Sequence, residues 1–348
     1  MNTKKKTLAV LFGGHSSEYE VSLQSAAAVL EAVDTERFDP LPIGITKDGN
    51  WHHYLGTYSA IAAGTWVDDP MLLRPAAFSP SRGAPGCWEL HNGKWMLRRI
   101  DLAFPVLHGK NGEDGTVQGL FELSGIPLVG CGTLASALCM DKDRAHKLVS
   151  LAGIAVPKSV VLEKNTTAQQ KILSTLTFPV FVKPVRAGSS FGVTRVEDGT
   201  ALDAAIDMAF RYDSSVIVEE AVPGFEVGCA VLGTDTLTVG RADEIELSGG
   251  FFDFEEKYTL KTSRIHMPAR VDAETERRIQ EAAKTIYRAL GCSGFARVDL
   301  FLTPSGELVF NEVNTIPGLT AHSRFPNMMK GIGLSFPQMI DRLLGLYV

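Results

Sequence analysis

Four polar side chains interrupt two otherwise apolar segments near the carboxyl end of the chain: Arg297 and Asp299 in the first, Glu312 and Asn314 in the second. Within each pair the residues are two positions apart, a spacing that places both on one face of a β-strand. Asp299, Glu312 and Asn314 would offer three oxygen ligands, which suits Mg²⁺ because this ion takes few carboxylates and keeps positions for phosphate oxygens. The alternative is a buried ion network that only stabilises the strands, and the residue types leave both interpretations open.

The two segments that carry these residues have the composition of a β-hairpin. Residues 295–302 and 307–318 are each short, rich in Val, Leu and Phe, and closed by turn residues, which predicts strands. Residues 303–306, Thr-Pro-Ser-Gly, are typical of the turn between them. Because an unpaired charge in such a buried hairpin would cost several kcal/mol, the four polar side chains require partners or a ligand.

The composition excludes several classes of protein. The chain has 348 residues, 45% hydrophobic and 21% charged, which is typical of a globular protein with two or three domains. Its formal charge of −6 argues against a nucleic-acid partner. The five cysteines are scattered without metal-ligand spacing and indicate reduced thiols. The apolar segment near the amino terminus is too short for a signal peptide or a membrane span, so we expect a cytoplasmic protein.

The amino-terminal residues predict a βα unit of an α/β domain with a parallel sheet. Residues 7–12 are a continuous apolar segment typical of a strand covered on both faces, and residues 21–30 predict a helix with Ser16 or Ser17 as N-cap. GxGxxG and Walker motifs are absent, so neither a Rossmann nor a P-loop nucleotide site is supported. Glu20, near the helix start, could either favour the helix dipole or face a ligand crevice.

A second strand–loop–helix unit is predicted at residues 101–123, and its loop would form the other side of that crevice. A buried strand at residues 101–107 leads into a polar, glycine-rich loop at 108–115 and then a helix at 116–123. Loops at the carboxyl ends of neighbouring parallel strands converge on the ligand site of such sheets. Taken alone, His108 is more typical of a hydrogen-bonded loop histidine than of a catalyst. The other expectations here are a strand at 41–46 and an irregular segment at 52–98 with a hairpin turn at 91–94.

Lys183 interrupts a predicted strand at residues 178–184. A buried lysine requires an anion, and phosphate is the simplest one. The loop 186–192 that follows contains glycines with Ser189 and Ser190, so it could offer backbone N–H groups to phosphate oxygens. A surface turn is the alternative for such a loop taken alone. Upstream, residues 135–152 predict one long helix.

Three glutamates, Glu219, Glu220 and Glu226, lie on two predicted strands, 215–220 and 226–232. They could accept hydrogen bonds from an adenine amino group or ribose hydroxyls, but exposure on edge strands is the simpler interpretation from the residues alone. The remaining predictions are a polar loop at 248–267, whose length is typical of a lid or binding loop, and helices at 272–290 and 336–346.

The order of these segments resembles the ATP-grasp D-alanine–D-alanine ligase family over essentially the whole chain. Five motifs carry the resemblance: FGGHSSEYEVS at 12–22, LHGKNGEDG at 107–115, KPVRAGSSFG at 183–192, RVD at 297–299 and NEVNTIPG at 311–318. The resemblance implies an α/β, three-domain ATP-grasp fold with a Rossmann-like N-terminal domain. We expect the domains at residues 1–133, 134–222 and 223–348, with ATP held between the second and third.

The resemblance also implies a reaction and a role for each matching residue. In that family ATP activates the carboxylate of a first D-alanine as an acyl phosphate, which the amine of a second substrate attacks. Asp299, Glu312 and Asn314 match the ligands of two Mg²⁺ or Mn²⁺ ions. The residues implied to bind the nucleotide are Lys142, Lys183, Ser189, Ser190, Glu219, Glu220, Val222, Glu226 and Lys257. Those implied in catalysis are Glu20, Ser190, Lys257, Tyr258, Arg297 and Gly318, and those implied in substrate binding are Glu20, His108, Ser323 and Arg324.

Several of these roles are specific. Glu20 would bind the ammonium group of the first D-alanine, with His108 close by. Arg297 and the N–H of Gly318 would stabilise the tetrahedral oxyanion, as donors fixed before charge develops. Ser323 would bind the carboxylate of the second substrate.

The choice of second substrate rests on Arg324 and on the loop that contains Lys257 and Tyr258. D-alanine–D-alanine ligases usually have an apolar residue after the His-Ser pair, whereas Arg324 resembles the glycopeptide-resistance members. The retained Lys-Tyr pair disfavours D-lactate, and the sequence is most similar to the G-type vancomycin-resistance subgroup of D-alanine–D-serine ligases. Arg324 would orient the D-serine hydroxyl directly or through neighbours. Mixed use of D-alanine is expected, because such small differences are worth only about 1–3 kcal/mol.

Three alternatives accompany this interpretation. They are a housekeeping D-alanine–D-alanine ligase, an ATP-grasp enzyme with another acyl acceptor, and a non-catalytic nucleotide-binding protein. A homodimer is expected by analogy with the family alone.

Overall fold

Three β-sheets with helices packed against them form the fold, which confirms the predicted α/β class. The structure is a computed structural model that describes residues 5–164, 172, 174–188, 191–247 and 263–348. Within these ranges, no helix is long and apolar enough to cross a membrane.

The first sheet has seven strands: β1 (Lys6–Gly13), β2 (Phe38–Ile45), β3 (Trp51–Tyr54), β4 (Leu73–Phe78), β5 (Gly86–His91), β6 (Lys94–Arg99) and β7 (Leu102–Pro105). Their order is β6-β5-β4-β3-β2-β1-β7. Only the pairs β1–β2 and β1–β7 are parallel, so the predicted parallel sheet describes three of the strands. The apolar side chains of β1 are fully buried, as its composition predicts.

Helix α1 (Tyr19–Ala32) packs against β1 and begins directly after the glycine turn. Its N-cap is Glu18, and no side chain caps it, so the prediction of Ser16 or Ser17 as N-cap is wrong. The hydroxyl of Ser16 instead accepts a hydrogen bond from the N–H of Glu18 at 3.2 Å.

The segment predicted to be irregular, 52–98, is largely an antiparallel meander formed by β3 to β6, so this prediction was wrong except for the hairpin turn between β5 and β6. Helix α2 (Tyr58–Ala62) and a 3-10 turn (Pro70–Leu72) separate β3 from β4. The outermost strand, β6, is exposed at every position, and therefore no alternation of polar and apolar residues marks it.

The helix predicted at 135–152 is two helices, and helix α3 (Thr116–Ser124) precedes them as expected. They are α4 (Thr133–Met140) and α5 (Lys142–Leu151), with Asp141 in an extended conformation between them. The Asp141 side chain accepts a hydrogen bond from the N–H of Arg144 at 3.0 Å and so caps α5. The break makes Lys142 the first residue of α5.

The second sheet has four strands, β8 (Ser159–Glu163), β9 (Val180–Pro184), β10 (Thr194–Val196) and β11 (Ser215–Glu220), in the order β10-β9-β11-β8. A 3-10 turn (Gly199–Ala201) leads into α6 (Leu202–Ala209), which packs on β9. Because β11 pairs with a strand on each side, the edge-strand interpretation of Glu219 and Glu220 is wrong. Glu219 is 2% exposed.

The third sheet has five antiparallel strands, β12 (Phe225–Leu232), β13 (Thr238–Leu247), β14 (Ser263–His266), β15 (Phe295–Leu302) and β16 (Leu308–Asn314), in the order β14-β13-β12-β15-β16. The predicted hairpin of β15 and β16 is confirmed, with Arg297 opposite Asn314 and Asp299 opposite Glu312. Strand β12, which carries Glu226, is also internal rather than an edge strand. The remaining helices are α7 (Ala273–Ala289), α8 (Arg324–Lys330), α9 (Phe336–Leu344) and a 3-10 turn (Gly345–Tyr347).

The predicted loop at 248–267 is partly wrong, because residues 263–266 are strand β14. Residues 248–262 lie outside the described part of the chain.

The first and third sheets share one hydrophobic core. Phe104 of β7 contacts Phe295 of β15 with ring centroids 5.9 Å apart, and Phe295 contacts Phe325 of α8 at 5.6 Å. This packing brings the loops of the first sheet against the segment that follows β16. The domain limits at residues 133 and 222 remain predictions.

Candidate active site

A cavity of about 680 Å³ lies between the second and third sheets. Residues that are far apart in the sequence line it, some from α5 and the second sheet and some from the third. The lining includes seven of the predicted nucleotide and metal residues: Lys142, Lys183, Glu219, Glu220, Val222, Glu226 and Glu312. The structure therefore brings together most of the residues that the sequence analysis assigned to a nucleotide.

Lys183 and Glu219 form an ion pair in the wall of this cavity, with Nζ and Oε2 2.6 Å apart. Burial would raise the pKa of Glu219, but the charges of Lys183 and His146 outweigh it and lower that pKa. The argument that buried Lys183 requires phosphate is thus too strong, since a carboxylate already balances its charge. Lys142 donates to the carbonyl oxygen of Ala187 at 2.8 Å, which connects α5 to the predicted phosphate loop.

The four polar residues of the β15–β16 hairpin lie on one face, as predicted. Arg297 donates to both carboxylate oxygens of Asp299 at 2.7–3.0 Å, and the amide nitrogen of Asn314 donates to Asp299 at 2.9 Å. Burial would raise the pKa of Asp299, but the charges of Arg297 and Arg324 outweigh it and lower that pKa. Two carboxylates directly opposite each other repel, so the Asp299–Glu312 pair favours a cation between the strands.

Arg324 belongs to the same buried network. Its Nε and Nη2 donate to the two carboxylate oxygens of Asp243 at 2.7 and 2.8 Å, and its Nη1 donates to Glu226 at 2.9 Å. Nη2 also lies 3.3 Å from Asp299. A Cβ at Gly228 would come within 2.3 Å of Arg324, so only glycine lets the guanidinium reach this position. These carboxylates occupy the guanidinium, which favours an indirect effect on a substrate over direct contact.

Glu20 does not lie in a crevice. Its side chain is 68% exposed and forms an ion pair with Lys47 at 2.6 Å. The buried carboxylate at the start of α1 is Glu18, and a Cβ at Gly109 or Gly188 would come within 2.7 or 3.3 Å of its Oε2. Glu18 therefore lies between the loop after β7 and the loop after β9, whereas Glu20, to which the resemblance gave this position, lies at the surface.

The loops after β1 and β7 converge as predicted, and they line a second cavity of about 350 Å³ that includes His108. His108 is buried, its Nδ1 is 2.8 Å from the carbonyl oxygen of Ile316, and burial lowers its pKa. Gly318 lies against Ser323, because a Cβ at Gly318 would be 2.7 Å from the Ser323 hydroxyl oxygen. That hydroxyl accepts from the N–H of Thr320 at 3.1 Å. Ser189, Ser190, Lys257 and Tyr258 lie outside the described residues.

Comparison with known proteins identifies the family. Residues 7–131 match the model described as D-ala D-ala ligase N-terminus, and residues 148–345 match D-ala D-ala ligase C-terminus. The chain belongs to the D-alanine–D-alanine ligase family. It is 47% identical to the vancomycin B-type resistance protein VanB of Enterococcus faecalis, over 99% of both chains. It is 43% identical to the vancomycin C-type resistance protein VanC1 of Enterococcus gallinarum, over 98% of both.

Solved structures agree with this ligase family and with the three-sheet fold. The VanG D-Ala:D-Ser ligase from Enterococcus faecalis has a TM-score of 0.94 and 64% identity, covering 99% of this chain and 100% of that one. The D-alanine-D-alanine ligase from Coxiella burnetii has a TM-score of 0.86 and 30% identity, covering 99% and 94%.

The ligase's residues fit the ATP and divalent cations that its family implies. Lys142 and Lys183 in the lining of the cavity suit phosphates, and the carboxylates that line it suit hydroxyl and amino donors. No group of three or more His, Cys, Asp or Glu among the described residues could hold a metal by itself. An ion at the hairpin would therefore depend on Asp299, Glu312 and Asn314 together with phosphate oxygens, which is how Mg²⁺ is commonly bound.

Sequence reasoning missed Glu18 and Asp243 in this ligase. Glu18 precedes the first helical turn, so the helical period does not indicate its direction, whereas Glu20 is the more obvious acid in that turn. Asp243 is 0% exposed on β13, a strand with three other charged residues, so no break in an apolar pattern marks it in the sequence.

Proposed function

We propose that this protein is an ATP-dependent D-alanine–D-serine ligase that joins D-alanine to D-serine through an acyl-phosphate intermediate. The observation that carries the proposal is the 64% identity, over 99% of this chain, to a structure named as a D-Ala:D-Ser ligase. The product would be a peptidoglycan precursor associated with vancomycin resistance, which agrees with the names of the VanB and VanC1 relatives.

In this proposal the large cavity binds ATP. Lys142 and Lys183 bind phosphates as positive point charges. Glu219 and Glu226 accept hydrogen bonds from the adenine amino group and the ribose, with Glu220 and Val222 beside them. The shared position of these residues in one cavity supports the assignment. Ser189, Ser190, Lys257 and Tyr258 are proposed to cover the reacting phosphate, on the family resemblance alone.

The hairpin is proposed to hold two Mg²⁺ or Mn²⁺ ions through Asp299, Glu312 and Asn314. When bound, the ions would neutralise charge on the transferred phosphoryl group. Arg297 is proposed to bind the developing oxyanion together with the N–H of Gly318. The contact of Arg297 with Asp299 supports this, because it fixes the guanidinium beside the metal ligands before the reaction begins.

The two amino-acid substrates are proposed to bind beside this hairpin. Glu18, rather than the exposed Glu20, is proposed to bind the ammonium group of the first D-alanine. Ser323 is proposed to bind the carboxylate of the second substrate. Arg324 is proposed to favour D-serine through the neighbours that it orients, above all Asp243, since its own donors already contact carboxylates.

Dipeptide formation tests the proposal. The protein is incubated with ATP, Mg²⁺ and D-alanine, with and without D-serine, and the products are separated by chromatography. D-alanyl-D-serine is expected as the main product when both are present. Only D-alanyl-D-alanine in both mixtures would contradict the D-serine assignment, and no dipeptide in either would contradict the ligase proposal. A homodimer, also proposed by family analogy, is checked by sedimentation.

A further inference from the structure

Side chains of the first sheet and its helices hold the backbone of residues 316–319, the segment that follows β16. At its start, the N–H of Ile316 donates to Oε1 of Glu113 at 3.0 Å. The carbonyl oxygen of the same residue lies 2.8 Å from Nδ1 of His108. Glu113 also accepts from the N–H of Gly109 at 2.9 Å, and both holding side chains belong to the same loop after β7. Both polar backbone groups of Ile316 are thus fixed from outside the third sheet.

The end of the same segment is held by Ser25, a fully buried residue in the second turn of α1. Its hydroxyl oxygen accepts from the N–H of Leu319 at 3.1 Å and lies 3.4 Å from Nε2 of His108. Because Nδ1 of His108 faces a carbonyl oxygen, Nδ1 must carry the proton and Nε2 accepts from the Ser25 hydroxyl. Ser25 therefore connects the histidine to the segment, and the histidine has both ring nitrogens engaged.

Ile316 and Leu319, whose backbone groups are held in this way, lie on either side of Gly318. The N–H of Gly318 is the donor proposed above to bind the oxyanion. Such donors are effective because they are aimed before charge develops, and a working site holds its groups to within about 0.5 Å. In the described part of the chain, three side-chain contacts hold the backbone of this segment, two at Ile316 and one at Leu319. All three come from the loop after β7 and from α1, so the segment depends on the first sheet to aim Gly318.

We propose that Ser25 is a positioning residue for the ligase reaction, which with His108 and Glu113 orients the N–H of Gly318 toward the tetrahedral centre. This inference rests on the proposed function. It also changes the role of His108, which acts through the backbone of Ile316 rather than on the substrate. A purely structural role, in which these contacts only dock the first sheet on the third, is the alternative that an experiment must exclude.

Ser22 provides a matched control for Ser25. It lies one turn earlier on the same helix, is equally buried, and its hydroxyl likewise has two hydrogen-bond partners, both of them backbone groups. It accepts from the N–H of Gly13 at 2.8 Å and donates to the carbonyl oxygen of Val106. Both partners lie on or beside strands of the first sheet, so Ser22→Ala removes the same chemical group without touching residues 316–319.

The experiment compares Ser25→Ala with Ser22→Ala by dipeptide-forming kinetics. For Ser25→Ala we expect kcat to fall about tenfold or more, less than the 10²–10³-fold lost when an oxyanion donor is itself removed, with KM for ATP unchanged. Binding of a phosphinate that mimics the tetrahedral centre of a D-alanyl dipeptide should weaken by a similar factor. For Ser22→Ala, kcat and the affinity for the phosphinate should both stay within about twofold of the wild type, because this serine does not contact residues 316–319.

Equal losses of kcat in the two variants, or a fall confined to KM for ATP, would overturn the inference. If Ser25→Ala does not fold, Ser25→Cys takes its place, because the thiol keeps the side-chain volume and is a much weaker hydrogen-bond partner. A wild-type protein that forms no dipeptide would instead refute the proposed function, so the two failures are distinguishable.

Discussion

Replacing Arg324 with methionine should destabilise the third sheet by an amount that its contacts allow us to work out. The change keeps much of the side-chain volume but removes both hydrogen bonds to Asp243, which is fully buried. Among the described residues, the N–H of Gly228 at 3.1 Å then remains as its hydrogen-bond donor. Asp299 also loses its contact with Arg324, but it keeps its hydrogen bonds from Arg297. Leaving one buried charge without its partner costs about 3–5 kcal/mol, and that is the loss expected in the free energy of unfolding.

Urea denaturation followed by far-ultraviolet circular dichroism measures this loss. All four tryptophans lie between residues 51 and 95, so their fluorescence would report on the first sheet instead. Arg342→Met is the control: Arg342 is exposed on α9 and donates to the hydroxyl of Thr238, and its removal should cost less than about 1 kcal/mol. In Arg324→Met, adding Asp243→Asn removes the orphaned charge and should recover at least about 1.5 kcal/mol.

A loss below about 1 kcal/mol for Arg324→Met would contradict the buried ion pair, since it would mean that the Asp243 carboxylate finds other partners without cost. Strict additivity of the two substitutions would refute it equally, because coupling is the signature of a direct pair.

Three further predictions concern other parts of the site. Glu312→Gln should abolish phosphate release in the presence of D-alanine, because the hairpin loses one of two carboxylates for the cations; turnover close to wild type would show that the metal assignment is wrong. Asp141→Ala should lower the free energy of unfolding by about 1 kcal/mol through loss of the α5 cap, with Asp141→Asn as the conservative control; an equal loss in both would contradict the capping role. Burial and the charge of Glu18 raise the pKa of Glu113. Above about pH 4.3, the pKa of a glutamate in the unfolded chain, the native state therefore keeps a proton that the unfolded chain has lost. The stabilisation that Glu113 contributes is therefore complete below about pH 4.3 and is lost as the pH rises through its native pKa. Glu113→Gln should remove this pH dependence from the free energy of unfolding measured in urea at pH 5, 6 and 7. A difference in that free energy between the two proteins that is the same at all three pH values would contradict the prediction.

Local chemistry predicted the hairpin well. Strands β15 and β16, their turn and the common face of Arg297, Asp299 and Asn314 followed from the period of a strand and from turn residues alone. The strand β1 and helix α3 were equally readable, because a fully buried strand and an amphipathic helix each carry a pattern within a few residues.

Long-range contacts explain what the sequence could not provide. The partners of Arg324 are 81 and 98 positions away, and no local pattern indicates that a guanidinium will be occupied by carboxylates. The same applies to Glu219, whose burial depends on strands that pair on both sides of β11. The apolar pattern of α4 runs on toward α5, which is why the sequence predicted one helix at 135–152. Only the capping residue Asp141 indicates that the helix is broken there.

Glu18 shows a limit of a different kind. Two acids separated by one residue at the start of a helix point in different directions. The helical period of 3.6 residues predicts the direction of a side chain only for residues inside the helix, and Glu18 lies before its first turn. The structure separates them by burial, with Glu18 inside and Glu20 paired with Lys47 at the surface.

A competition experiment is the most direct test of the preference for D-serine. The protein, ATP and Mg²⁺ are supplied with D-alanine and an equal concentration of D-serine at neutral pH, and the two dipeptides are quantified by mass spectrometry. We expect D-alanyl-D-serine in excess, with some D-alanyl-D-alanine because the discrimination is worth only about 1–3 kcal/mol. D-alanyl-D-alanine as the dominant product would contradict it.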